Sequence, residues 1–358
     1  MSLWFPPSTR SNRTLRLSVV VIVVISCRFL GVVDSKLSAA VILPHGDVAF
    51  DPTHLSPGTD ARKAGDDIAS GARKAAHWFA TTTPLDLVFL STPHGIQLTS
   101  DYGIYLGPYA SGSINITGDT NSSIPPYTVT MPRITLDTSL ALDLIMELLT
   151  SSNHQQQHES FHVQGIATSA DAAKDLPLEW AEIIPLALLP EPQRHALRYI
   201  LWSYPLRRYT ESTAMVPELL DLGTAIREWM EALPLNIGVL VSGDLSHTHQ
   251  ASGPYGYSNV SALFDEAIGH WATNPCEHAD SLLQVAKTLQ PHGMSCGFTG
   301  MVLLHGMLCG NENSRNYHYD TLCRDRVYVN RNATYYGMMA ATFDSNETVP
   351  INRDVLPA

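Results

Sequence analysis

The sequence predicts one α/β domain, a mixed and mainly parallel β-sheet with helices on both faces. Three observations predict it. Short apolar runs (Ala39 to Leu43, Leu85 to Leu90 and Ile237 to Val241) each lead into Gly or Pro within a few residues, as buried strands do. Helical periodicity fills the intervals between them: Asp60 to Thr81 carries Ile68, Ala72, Ala75, Ala76 and Phe79 on one face. The alternation then runs without a linker from residue 38 to residue 345, the pattern of βαβ units.

Residues 1–37 stand outside that domain. Arg10, Arg13 and Arg16 precede the apolar stretch Leu17 to Ile25, the pattern of a signal peptide or, if uncleaved, a signal anchor. Arg28 interrupts the apolar residues, so a clean span of about 20 is not formed. The expected destination is the secretory pathway, with the product secreted or held at a membrane through this segment. Sequons at Asn115, Asn121, Asn259, Asn332 and Asn346 agree with a glycoprotein, and a further one, Asn12, lies in the leader.

Within the domain, Asp60 to Thr81 links the first two strands. Residues 98 to 130 are rich in Gly, Ser, Asn, Pro and Tyr and read as a long irregular excursion, with Asn115 and Asn121 in an exposed loop. Thr138 to Thr150 is helical, and residues 151 to 160 are a polar loop with a Gln run. An apolar segment, Trp180 to Leu189, is bounded by Pro177 and Pro190. Val216 to Leu233 leads as a helix into the third strand. Further helices are expected at Phe264 to Trp271, Asp280 to Leu289 and Gly300 to Leu308. Closing strands follow at Val327 to Val329 and Tyr335 to Phe343. Residues 346–358 form a tail.

The 358 residues are 44% hydrophobic and 16% charged, the composition of a chain with a sizeable core. A net charge of -12 argues against nucleic acid as a partner, because phosphate binding needs a basic face. The 5 cysteines contain no Cys-x-x-Cys pair. One bridge among Cys276, Cys296, Cys309 and Cys323 is compatible with the sequence, which does not pair them.

The chemistry sits at the strand ends. The first run closes on Pro44-His45-Gly46 and the second on Pro93-His94-Gly95. The third closes on Ser242-Gly243-Asp244-Leu245-Ser246-His247-Thr248-His249. Ligands of open α/β sheets bind beyond the carboxyl ends of the strands, so three histidines there suggest a metal site. Proline restricts the backbone beside each of the first two, and glycine permits close approach. Asp47 is placed to orient a ligand as a hydrogen-bond acceptor. His247 suits a ligand or a general acid/base. Asp244 either holds it or caps the next turn. His249, two residues on, points the other way on an extended chain.

These motifs resemble the class III extradiol ring-cleavage dioxygenase catalytic-subunit superfamily, which includes the Memo proteins. Gly253-Pro254-Tyr255-Gly256-Tyr257, Cys296-Gly297-Phe298-Thr299-Gly300 and Tyr335-Tyr336-Gly337-Met338-Met339 add to the likeness, which runs from about Ala39 to Phe343. The resemblance implies a single α/β domain and a mononuclear non-haem iron(II). His45 and His94 match the histidine ligands, and His247 matches the acid/base histidine. Ring-cleaving members complete the triad with a glutamate, whereas Met294 to Met301 contains no carboxylate here. The Memo branch places a cysteine in that region, and Cys296 fits it. A thiolate is softer than a carboxylate and favours zinc or copper. Glu182 lies where family members line the substrate cleft and could supply an acid, and Glu277 is another carboxylate, following Pro275-Cys276 in a loop.

Three functions follow from this reading. The first is an iron(II) dioxygenase-like oxidoreductase, with a small aromatic diol and O2 as partners. The second is a Memo-like protein that binds a metal or a peptide without ring cleavage. The third is a zinc hydrolase. A homodimer is compatible with each.

Overall fold

A computed structural model describes residues 37–82, 84–117, 125–151, 161–167, 174–310 and 326–344. The leader up to residue 36, the loop at 152–160 and the tail at 346–358 lie outside the described residues, as do Asn12, Asn121, Asn346, Cys27 and Cys323. No described helix is long and apolar enough to cross a membrane.

The chain begins with β1 (Leu37–Leu43), a short helix α1 (Asp47–Phe50) and the long helix α2 (Asp60–Thr81). Next come β2 (Leu87–Thr92), β3 (Tyr102–Tyr105), β4 (Tyr109–Ile116) and β5 (Tyr127–Leu136). After α3 (Thr138–Ser151) come β6 (Val163–Ile166), β7 (Leu176–Pro177), α4 (Trp180–Leu188) and α5 (Glu191–Ala196). Then follow β8 (Arg198–Ser203), α6 (Arg208–Glu211), α7 (Val216–Glu231) and β9 (Ile237–Ser242). The last elements are α8 (Ser261–Thr273), α9 (Lys287–Gly293), α10 (Phe298–Cys309), β10 (Arg326–Asn332) and β11 (Gly337–Asp344).

The strands form one sheet in the order β10-β11-β1-β9-β2-β8-β5-β4-β7, and β3 pairs with β6 and β8. Its centre, β1-β9-β2-β8, is parallel, and β11 and β10 close one side antiparallel. Side chains alternate between the faces of a strand. Thus Ala40, Ile42, Phe89, Val239 and Val241 pack under α3, α7, α8 and α10, whereas Val41, Leu43, Val88, Leu90 and Leu240 pack under α2 and α4. Cover on both faces is why these strands read as unbroken apolar runs.

Local chemistry explains the helices. Thr59 caps α2 by accepting from the Arg62 N–H, and the buried stripe Ile68, Ala72, Ala75, Ala76 and Phe79 docks the helix on the sheet. Helices α7 and α10 touch through Gly223 and Gly306, where any Cβ would strike the facing backbone.

The structure corrects four expectations. Residues 98–130 are not an irregular excursion: they hold β3, β4 and the start of β5. Asn115 lies in β4, where its Oδ1 accepts from Thr128 Oγ1, rather than in a loop. Small residues (Ser111, Gly112, Ser113) mask β4, whose pairing to β5 is supplied by tertiary context. Strand β8 also went unread, because α5 runs into it across Leu197 with no Gly or Pro to mark the change. The helix expected at Asp280 to Leu289 is a π-helical turn at Ser281–Ala286 that continues as α9.

A disulfide joins Cys276 to Cys309 at the end of α10, and Cys296 is a free, buried thiol. Also on α10, buried His305 accepts the Trp271 indole N–H at Nδ1, 3.1 Å away, and burial pushes its pKa down to about 4. Unfolding therefore lets His305 take up a proton between its folded pKa and the ordinary histidine value near 6.5. Stability from this group is complete above pH of about 6.5 and falls as the pH drops toward 4. His305→Gln is expected to flatten the acid limb of stability against pH by about one proton. Urea titrations from pH 4.5 to 7 check it, and parallel curves for the two proteins would refute it.

Candidate functional site

Because β1, β9, β2 and β8 are adjacent and parallel, their carboxyl ends share one edge of the sheet. Just beyond those ends come His45, Asp244, His94 and, five residues after β8, Arg208. Two glycines allow the turns to close in. A Cβ at Gly46 would overlap the Tyr336 ring, and one at Gly243 would come within 2.5 Å of Gly297 Cα. That second approach brings the Asp244 and Cys296 loops together. Gly297 N–H and Ser295 Oγ both donate to the Asp244 carbonyl, at 3.0 and 2.8 Å.

The bonds around His45 determine its tautomer. Ser242 Oγ donates its one proton to the Ala181 carbonyl, so it must accept from His45 Nδ1, 2.9 Å away. Burial, with His94 and His247 nearby, holds the His45 pKa well below the usual histidine value. The ring is thus neutral, with its lone pair on Nε2, within hydrogen-bond reach of the Cys296 thiol. That nitrogen lies 3.4 Å from Cys296 Sγ and 3.4 Å from Asp244 Oδ2. Asp244 is buried, and its Oδ1 accepts from the His45 N–H. A lone pair facing a carboxylate oxygen in a dry site calls for a proton or a cation between them.

Two donor groups meet here, each with its ligand atoms within 4.8 Å of one another: His45, His94 and Cys296, and Asp244, His247 and Cys296. Metal bonds of about 2.1 to 2.3 Å set tetrahedral donors about 3.5 Å apart, so a small inward closure suffices. Burial is the main cause of every shift in the cluster. It lowers His94 to about 3 and His247 to about 4, keeping the imidazoles neutral and fit to ligate. It raises Asp244 to about 7 and Cys296 to about 12, so a bound cation would be needed to hold the thiolate.

His94 sits edge-on to His45, ring centroids 5.2 Å apart, and packs against Trp180 at 4.9 Å. Its Nδ1 is 3.3 Å from Arg208 Nη2 and 3.4 Å from Tyr209 Oη. The His247 ring is walled by Tyr255, Tyr335 and Tyr336, and its buried Nε2 has no hydrogen-bond partner.

The remaining candidates fall into separate places. Asp47 does not orient His45: its Oδ1 accepts from Tyr336 Oη at 3.0 Å, and Ser242 takes the role at His45 instead. Asp244 binds the His45 backbone rather than holding His247. His249 turns away and pairs with Asp265 at 2.7 Å, whose other oxygen accepts from the Ser246 N–H, bracing the turn around His247. Glu182 is fully buried in the first turn of α4, where its side chain accepts from the Glu179 N–H. It abuts Gly95 and does not line the cleft. Burial raises its pKa to about 7. Tyr255, half exposed, does line it. Glu277, on a short loop, accepts from Asn274 Nδ2. Arg208 and Tyr209 escaped the sequence reading, and Ser242 and Trp180 entered it only as part of a strand-end motif and of an apolar segment. The Arg207-Arg208-Tyr209 run was the available signal, hidden behind the unread β8.

The cleft holds about 560 Å³ and is lined by His45, His94, Asp244 and His247 on the polar side and Trp180, Tyr255, Tyr335 and Tyr336 on the aromatic side. A family model described as the catalytic LigB subunit of aromatic ring-opening dioxygenase matches residues 43–327. The chain belongs to this family. LigB dioxygenases use a metal, and His, Cys and Asp donors for one are grouped in this LigB chain. The Memo likeness rests on the short motifs alone. Among solved structures, the chain is similar to the uncharacterized protein JW3007 from Escherichia coli K12, at 15% identity and a TM-score of 0.43, covering 85% of this chain and 99% of that one. A search of curated proteins returns no significant match.

Proposed function

We propose that this chain is a metal-dependent oxidoreductase of the ring-opening dioxygenase type, acting on a catechol-type aromatic diol with O2. The observation that carries the reading is the carboxylate of Asp244, 3.4 Å from His45 Nε2 inside an aromatic-lined cleft. It offers, from a different loop, the oxygen donor absent from Met294 to Met301. His94 and Asp244 belong to different donor groups, so His45, His94 and Asp244 would hold iron(II) as two histidines and a carboxylate only if the Asp244 and His94 loops close further on each other. The metal, when bound, supplies the common centre at which diol and O2 meet. The protein's part is positional. Trp180 and the tyrosines flank a flat ring, and His247, unpartnered at Nε2, is placed to take a proton from a substrate hydroxyl.

Cys296 favours a second reading, because its Sγ is as close to His45 Nε2 as the Asp244 carboxylate. With the thiolate as third ligand, zinc or copper is preferred, and the cleft binds without ring opening. Anaerobic purification, elemental analysis and oxygen-electrode assays with catechol separate the two. Near-stoichiometric iron with catechol-dependent O2 uptake is expected. Zinc or copper with no uptake, even after iron(II) reconstitution, would refute the dioxygenase.

A further inference from the structure

Among the described residues, Asn115, Asn259 and Asn332 are the asparagines of Asn-x-Ser/Thr sites, and each sits on a segment that walls the cleft. Asn115 lines it directly, from β4. Asn259 follows Tyr255 on the loop that presents that ring to the cleft. Asn332 ends β10 opposite Gly337, so the turn between them holds Tyr335 and Tyr336 of the aromatic wall. The sites are far apart in sequence and converge only in the fold. No described helix carries one, and neither does the amino edge of the sheet, where β1 begins.

All three side chains are exposed. Asn115 accepts from Thr128 Oγ1 through Oδ1, which leaves Nδ2, the nitrogen that takes a sugar, unused in that bond. A second observation concerns the compartment. The Cys276–Cys309 disulfide joins residues 33 apart in sequence, and such bridges form and persist in oxidising compartments. Asn-x-Ser/Thr sites are modified on the same route, to which the basic and apolar leader also points.

We propose that Asn115, Asn259 and Asn332 carry N-linked glycans that ring the mouth of the cleft and reserve it for small molecules. In each transfer Nδ2 loses a proton and bonds to the anomeric carbon of a lipid-linked oligosaccharide. The bond from that carbon to the lipid pyrophosphate breaks, and the pyrophosphate leaves with the electron pair. The consequence is steric, because a glycan is bulky and hydrated. A protein docking over the mouth would cover about 800 Å² of each partner, and the segments bordering the mouth are those that carry the sugars. Tyr255 and Tyr257, 52% and 67% exposed, are the aromatic side chains such a partner would grip, and Asn259 lies beside them in the chain. A substrate-sized molecule passes between the sugars. The ring therefore favours a small-molecule occupant over a peptide, and it stands whether or not the protein opens aromatic rings.

Expression of the full chain, with its own leader, in a eukaryotic cell line tests this. The purified protein is treated with peptide-N-glycosidase in heavy-oxygen water, and peptide mass spectrometry reads each glycosylated Asn as a labelled Asp. Labelling at all three sites is expected. Asn259→Gln and Asn332→Gln should each lose one glycan by mass. Thr117→Ala should lose the glycan of Asn115 while keeping that side chain's bond to Thr128. Chymotrypsin should cut after Tyr255 and Tyr257 faster once the glycans are removed from the native protein, an increase that Asn259→Gln reproduces without the glycosidase. An unlabelled Asn at any of the three sites, or a cytosolic product with Cys276 and Cys309 reduced, would overturn the glycan ring. Equal cleavage rates of the glycosylated and deglycosylated proteins would overturn the shielding of the mouth.

Discussion

His45→Ala or His94→Ala is expected to reduce bound metal to background while leaving the fold in place. Structural metal sites are worth about 10 to 16 kcal/mol, so removing one of three or four donors costs about 3 to 4 kcal/mol, a fall in affinity of roughly a hundredfold to a thousandfold. The loss to the fold is smaller. His45 gives up its bond to Ser242 Oγ, worth about 1 kcal/mol, and its strand remains locked between β11 and β9. Elemental analysis after dialysis, with circular dichroism as the folding control, measures both. Companion variants resolve the third donor. Release of metal by Asp244→Asn with retention in Cys296→Ser would assign the third position to the carboxylate, and the reverse outcome would assign it to the thiol, which shares a donor group with His45 and His94. Full metal retention in either histidine variant would remove the site from this edge of the sheet.

His247→Ala is expected to lower turnover by a factor of about 10² to 10⁴, the usual contribution of a positioned acid/base. Metal content should stay at the wild-type level. The reasoning is geometric. Its Nε2 is buried without a protein partner, in a wall of the cleft that also carries His45 and His94, and His249–Asp265 braces the turn that presents it. Burial keeps the ring neutral well below the ordinary histidine range, so it can accept a proton across the working pH range. Stopped-flow assays beside metal analysis discriminate the outcomes. Loss of metal together with activity would make His247 a ligand, and unchanged turnover would show that no proton passes through it.

Much of the fold was legible because its signals are local. Strands β1, β2 and β9 are buried on both faces and so are apolar throughout, and α2 carries its core stripe, its Thr59 cap and its length within one stretch. Pro-His-Gly at two strand ends was equally local, since each histidine owes its place to the residues beside it. Strands β4 and β8 were not legible. One is held by pairing to β5 rather than by propensity, and the other follows a helix without punctuation.

The sequence alone determined the α/β class, the strand ends that carry His45, His94 and His247, and the turning away of His249. Tertiary structure alone decided the partners. Ser242 rather than Asp47 meets the His45 ring, Asp244 faces His45 rather than His247, and Glu182 is buried in the first turn of α4. It also placed Arg208, unpaired, beside His94. The reason is physical. Periodicity and turn chemistry report what a residue does with its near neighbours. A lone pair, a carboxylate and a guanidinium from strands far apart in sequence meet only when the parallel order β1-β9-β2-β8 brings their ends to one edge.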